Sequence, residues 1–87
     1  LPYFIYIVRC SDDTFYTGWT NDIEKRLDAH NKGAGSRYTR ARLPVELVHK
    51  EEFISKNEAL RRERAIKKMS RATKRHLIEG KLQPQVV

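Results

Sequence analysis

Apolar and polar positions alternate in two short runs near the start of the chain. Tyr3 to Arg9 and Phe15 to Trp19 are rich in aromatic and β-branched residues and flank the polar stretch Ser11-Asp12-Asp13-Thr14, a pattern that predicts an antiparallel hairpin. Because side chains alternate faces along a strand, the loop length decides whether Tyr6 and Tyr16 share a face. A two-residue turn at Asp12-Asp13 separates them, and an odd-length loop or a bulge unites them; the odd-length loop is expected. Gly18, inside the second strand, marks a bulge or a close backbone approach, as where a ligand lies against the sheet. The period then changes. Asn21 is expected to cap a helix over Asp22 to Asn31, with Glu24 completing a capping-box-like pair and Ile23 and Leu27 forming the buried stripe.

Lys32 to Leu43, broken by Gly33 and Gly35, reads as a loop. Val45 to Phe53 alternates as a third strand, with Val45, Leu47 and His49 opposed to Glu46, Val48 and Lys50. Ser55 and Glu58 form a capping box for a second long helix, and Ser70 caps a third over Arg71 to Glu79, stopped by Gly80 at C′. The expected architecture is α+β, a three-stranded antiparallel sheet flanked by helices in the order β-β-α-β-α-α. Residues 1–80 are read as one domain and Lys81 to Val87, which include Pro84, as a frayed tail.

Charge changes this picture in one place. The net charge of the 87 residues is +7, and residues 1–54 contribute none of it, with eight Lys/Arg against eight Asp/Glu. Residues 55–76 hold nine Lys/Arg against Glu58 and Glu63, so the second and third helices carry the whole excess. A concentrated positive field favours a polyanion such as nucleic acid; a solvated basic helix is the plain alternative. Ser36-Arg37-Tyr38-Thr39-Arg40-Ala41-Arg42 adds arginines, an aromatic ring and hydroxyls, residue types used for phosphate and base contacts. Arg37, Tyr38, Arg40 and Arg42, with Arg62 and Lys67 of the second helix, are therefore candidate nucleic-acid contacts. The single cysteine, Cys10, excludes an internal disulfide and is expected as a small buried hydrophobe in a reducing, cytoplasmic setting. No run approaches the roughly 18 apolar residues of a membrane-spanning helix. Zinc-type Cys spacing, phosphate-cradling glycine loops, nucleophile elbows and internal repeats are also missing.

Two groups stand out chemically. Arg26 and His30, at i and i+4, border the apolar stripe of the first helix, read either as site residues or as a snorkelling arginine and a packed histidine. On the second helix, Glu63 falls about 40° from Ala59, inside the apolar stripe. A carboxylate there needs a partner, either a metal or a salt bridge such as one to Arg26.

Phe4-Ile5-Tyr6, Tyr16-Thr17-Gly18, Arg26-Leu27-x-x-His30 and Glu63 within Glu58-Ala-Leu-Arg-Arg-Glu63 together resemble the GIY-YIG nuclease superfamily, in order and spacing, over about Tyr3 to Met69. The basic third helix is similar to that of its small, single-domain bacterial branch. The resemblance implies hydrolysis of a DNA phosphodiester, in repair or recombination, with one divalent ion, Mg²⁺ or Mn²⁺, on Glu63. It further implies that Tyr16 deprotonates the attacking water or acts as nucleophile, Tyr6 supports it, Arg26 stabilises the phosphate, and His30 contacts the phosphate or assists proton transfer. Phe4 stands in place of the first glycine, Thr17 in place of an isoleucine, and Trp19 where excision-repair relatives carry lysine. The asparagine that often follows the glutamate helix has no counterpart near Met69-Ser70-Arg71. Rival readings are a catalytically weak or inactive DNA- or RNA-binding module on the same scaffold, and a structural ribonucleoprotein component. With no attached targeting module in view, either weak intrinsic specificity or a separate targeting protein is expected.

Overall fold

The structure, a computed structural model, describes residues 1–80; the expected frayed tail lies outside them. The chain runs β1 (Tyr3–Arg9), β2 (Phe15–Thr20), α1 (Ile23–Asn31), α2 (Arg37–Arg40), β3 (Glu46–Phe53), α3 (Lys56–Lys67) and α4 (Arg71–Ile78). The three strands form one antiparallel sheet in the order β2-β1-β3, so the α+β architecture is as expected, with one extra helical turn.

The hairpin register pairs Tyr6 with Gly18 and Val8 with Tyr16. Cys10 to Thr14 thus form a five-residue loop, closed by bonds from the Cys10 amide to the Thr14 carbonyl and from the Asp13 amide to the Cys10 carbonyl. Asp13 takes the left-handed conformation that such a turn demands (φ 67°). The odd length puts Tyr6 and Tyr16 on one face, together with Val8. The other face carries Ile5 and Ile7, which pack with Ala59 and Ile66 of α3 and Leu77 of α4. Ile23 and Leu27 of α1 join Tyr6, Val8, Cys10, Val45 and Leu47 on the tyrosine side. Two apolar layers therefore sandwich the sheet, and full burial of each isoleucine contributes roughly 1.5–3 kcal/mol.

Three local expectations are corrected. The cap of α1 is Asp22, whose carboxylate accepts the Lys25 amide; the Asn21 amide group instead reaches the Pro2 carbonyl. This shift by one residue puts Lys25 at the third helical position, so Glu24 completes no capping box. The Lys32–Leu43 loop contains α2, because Ser36 accepts the Thr39 amide and caps a turn between the glycines and Pro44. Thirdly, the β1–β3 register shifts between Ile7 and Val8. Leu47 therefore stays with Val45 on the tyrosine side while His49 crosses to the α3 side.

At α3, Ser55 accepts the Glu58 amide as the capping box requires. At α4, Ser70 caps the start and Gly80 (φ 79°) follows the Glu79 C-cap. Cys10 is buried among apolar groups as anticipated.

On the α3 side, Arg62 makes two bonds to Glu51, and His49 Nε2 lies 2.8 Å from the same carboxylate. Burial alone raises the pKa of Glu51, but the Arg62 and His49 bonds outweigh it and leave the carboxyl below its ordinary 4.5. A depressed carboxyl stabilises the fold above the unfolded value and loses that contribution as pH falls through the folded one. Arg62→Gln is expected to cost about 1 kcal/mol at neutral pH, since the pair is partly exposed and screened. In urea titrations the gap to wild type should close as pH drops below 4.5; a gap that persists at pH 3 would contradict the assignment.

Candidate active site

Tyr6 reaches its position because Gly18 opposite it has no side chain: a Cβ built there would lie 2.6 Å from the Tyr6 hydroxyl. Gly18 thus marks a close approach, and the group that lies against the sheet is the Tyr6 ring. The expected bulge falls in β1/β3 instead.

Behind Tyr6 stands His30, from the last turn of α1 and wholly inaccessible to solvent. Its Nε2 is 2.8 Å from the Tyr6 hydroxyl and its Nδ1 is 2.8 Å from Thr39 Oγ1. The ring packs edge-on against Tyr6 and Tyr16, with centroids 5.7 and 5.4 Å away. The Gly35 backbone closes the remaining side. Burial first, and the nearby Arg26 charge second, push His30 below its ordinary 6.5, so the imidazole is neutral at physiological pH. A side chain sealed in this way has no exposed atom to offer a phosphate; its polar contacts are with Tyr6 and Thr39.

Arg26 lies one turn before His30, at the border of core and solvent where the i,i+4 spacing puts it. Its guanidinium is within hydrogen-bonding reach of the Tyr6 hydroxyl. Its Nε is buried without a protein partner, an orphaned donor aimed into the site. Glu63 keeps its side chain 14% exposed on α3, and its carboxylate is 3.4 Å from Lys67 Nζ, with Arg26 absent from its ion pairs. α3 covers the sheet face opposite the tyrosines, yet the field of Glu63 is felt at the Tyr6 phenol.

All of these groups act on one proton. Burial is the largest influence on Tyr6 and raises it; the Arg26 charge opposes, Tyr16 raises it further, the Arg26 hydrogen bond lowers it, and Glu63 raises it, for a value of about 12. A phenol held above its free value of 10.0 stabilises the fold fully below pH 10 and loses that contribution as pH rises towards 12. Ultraviolet titration of the four tyrosines should show one late phenolate step that Tyr6→Phe removes. A Tyr6 that ionises near the free value of 10.0 would contradict this environment.

The expected nucleic-acid contacts divide. Arg37 and Arg40 are exposed on α2, which α1 and the Tyr16 ring support. Tyr38 stacks on Tyr16 at 6.1 Å, and the Arg42 guanidinium lies 3.8 Å over the Tyr38 ring. Arg42 is fixed in turn by Asp12 and the Tyr38 carbonyl. Arg62 is engaged by Glu51 on the α3 side, and Lys67 neighbours Glu63. Thr39, grouped from sequence with the phosphate-contacting hydroxyls, is fully buried against His30. Thr39, Ser36 and Gly35 were missed as parts of the site; the Ser36-x-x-Thr39 capping spacing was the available signal. Trp19, at the lysine position of the excision-repair relatives, packs against Tyr3 and under Lys56 on the α3 side. Thr17 is buried with its hydroxyl unpaired, and nothing in the structure explains that group.

Among the described residues no cluster of three or more His, Cys, Asp or Glu could enclose a metal. A lone, partly buried carboxylate suits a hard cation that keeps most of its waters and takes phosphate oxygens. Glu63 meets that requirement, with the Lys67 ammonium as the cation's competitor.

Comparison with known proteins identifies the family. Residues 2–76 match the model of the GIY-YIG catalytic domain. A UPF0213 protein of Clostridium perfringens is 53% identical over 78 residues, covering 90% of this chain and 84% of the relative. One from Halobacterium salinarum is 53% identical over 73 residues, covering 84% and 95%. The solution structure of the UPF0213 protein BH0048 from Bacillus halodurans is similar, with a TM-score of 0.61 and 40% identity, over 97% of this chain and 89% of that one.

Proposed function

The chain belongs to the GIY-YIG catalytic-domain family, whose activity is of nuclease type, and on that premise we propose that it hydrolyses DNA phosphodiester bonds with the help of one divalent cation. The observation that carries this reading is the gathering of Tyr6, Tyr16 and His30 on one sheet face, with Arg26 lining the same crevice as Tyr6 and its buried Nε unpartnered.

Glu63 would hold Mg²⁺ or Mn²⁺, which supplies charge neutralisation at the phosphate and a more acidic water. Arg26 offers its orphaned Nε–H and the rest of its fork to the phosphoryl oxygens, where charge grows in the transition state. Tyr6, protonated to about pH 12, cannot serve as base and instead fixes the site's hydrogen bonds. Tyr16, partly exposed on the same face, is the candidate base for the attacking water. The water oxygen bonds to phosphorus as the ester oxygen departs and takes a proton from solvent. Arg37 and Arg40, exposed beside this face, grip the flanking backbone. Repair or recombination is the cellular setting proposed for such cuts, with a separate protein supplying targeting.

Incubation with duplex, single-stranded and branched DNA, with Mg²⁺, Mn²⁺ or chelator, tests the proposal. Metal-dependent nicks support it. Salt-sensitive binding with no product under any condition would overturn it in favour of a non-catalytic binding module.

A further inference from the structure

Thr39 is 0% exposed, lies outside the set of groups assigned a chemical role, and touches the one that stands behind Tyr6. Its hydroxyl oxygen has three polar neighbours besides its own backbone: His30 Nδ1 at 2.8 Å, Ser36 Oγ at 2.9 Å and the Ser36 carbonyl at 3.3 Å. A threonine has one proton to give and two lone pairs to receive with. The Ser36 carbonyl, which also takes the Arg40 amide, is the one neighbour that can only accept, and the Thr39 proton is directed to its second lone pair. The two remaining neighbours then donate: Ser36 Oγ, which itself accepts the Thr39 amide, gives its own proton, and His30 gives Nδ1–H. A neutral imidazole that carries its proton on Nδ1 has a lone pair on Nε2. At 2.8 Å from that lone pair, the Tyr6 hydroxyl must donate inward.

We propose that Thr39 is a positioning residue, fixing His30 as the Nδ1–H tautomer so that Tyr6 points its proton into the core and its oxygen lone pairs towards Arg26 and the reacting phosphate. The catalytic part of this inference rests on the nuclease reading above; the tautomer does not. The geometry has a direct consequence for the site. With the opposite tautomer, Nε2–H would donate to Tyr6, and the phenol proton would turn outward and face the Arg26 guanidinium, donor against donor. Thr39 thereby decides whether Arg26 meets an acceptor or a competing donor at Tyr6. The α2 turn acquires a purpose from this: Ser36 caps it, Thr39 lies on its inner side, and Gly35 leaves the space that the His30 ring fills.

Long-range ¹H–¹⁵N correlation spectra of the histidine rings, recorded on the full chain, report the tautomer directly. Wild type and Thr39→Ser are expected to show His30 protonated on Nδ1, because serine keeps the hydroxyl. Thr39→Val, which removes the acceptor but keeps the shape, is expected to move the proton to Nε2 in a large fraction of molecules. In the cleavage assay the valine variant should be slower by on the order of ten- to a hundredfold, with serine restoring most of the rate. Wild-type His30 protonated on Nε2 would overturn the proposal outright, whatever happens to the variants. So would a valine variant that keeps the Nδ1–H signature. Absence of cleavage by wild type, with the tautomer pattern as expected, would instead overturn the nuclease reading and leave the structural role of Thr39 standing.

Discussion

Glu63→Gln is expected to lower metal-dependent cleavage by two to three orders of magnitude, about the effect of removing one fixed electrostatic stabiliser from a reaction centre. The substitution keeps the size and shape of the side chain. Ala59 and Ile66, its neighbours along the stripe, are fully buried and unaffected, so circular dichroism and the urea midpoint should change little. The charge is what is lost. Without it a hard cation has no protein oxygen of formal charge in the site, since no larger acidic cluster is present among the described residues. A second signature separates this loss from misfolding. Glu63 raises the Tyr6 phenol electrostatically, so the variant should ionise Tyr6 at a lower pH than wild type does. Wild-type cleavage by Glu63→Gln, measured on the same DNA with the same ion, would show that the carboxylate has no part in the chemistry.

The largest effect on stability is expected at Gly35. A Cβ at that position would lie 2.0 Å from His30 Nδ1 and 2.6 Å from Cε1, well inside any van der Waals limit. The ring has nowhere to move. Its two nitrogens are bonded to Tyr6 and Thr39, and the phenol rings of Tyr6 and Tyr16 stand against it. Overpacking a tight core costs about 1–3 kcal/mol, and breaking a buried hydrogen bond adds roughly 1–3 more. Gly35→Ala should therefore destabilise by about 3–5 kcal/mol, a large share of the ~5–15 kcal/mol typical of a domain. Gly33→Ala is the fitting control. Gly33 has a left-handed φ of 82°, and a Cβ there would make only ordinary contact with the Arg40 side chain, 3.7 Å away, so alanine there costs about 1 kcal/mol from backbone strain. Equal urea midpoints for the two variants would mean that the histidine slot is looser than described.

Much of the fold was legible because local chemistry and tertiary packing agree. The odd hairpin loop could be argued from the need to bring Tyr6 and Tyr16 to one face, and the register does so. The inward turn of Glu63 followed from helical period alone, and the carboxylate is mostly buried. The i,i+4 pairing of Arg26 with His30 likewise set both beside the tyrosines. What could not be read depended on partners distant in sequence. Burial of His30 is imposed by Gly35 and Thr39, five and nine positions further on, through a turn that two glycines disguised as loop. The engagement of Arg62 follows from the β1–β3 bulge, which puts His49 and Glu51 on the α3 side. Composition makes every arginine a candidate phosphate contact; only geometry shows that Arg42 and Arg62 hold the protein's own acids.

The most direct test of the central claim is paramagnetic broadening of backbone amides by substoichiometric Mn²⁺, for wild type and Glu63→Gln. Broadening should centre on Glu63 and spread to Tyr6, Tyr16 and Arg26, and the substitution should remove it. Broadening centred on Asp12 and Asp13 or on Glu51 and Glu52, unchanged in Glu63→Gln, would contradict a metal-assisted centre at the paired tyrosines.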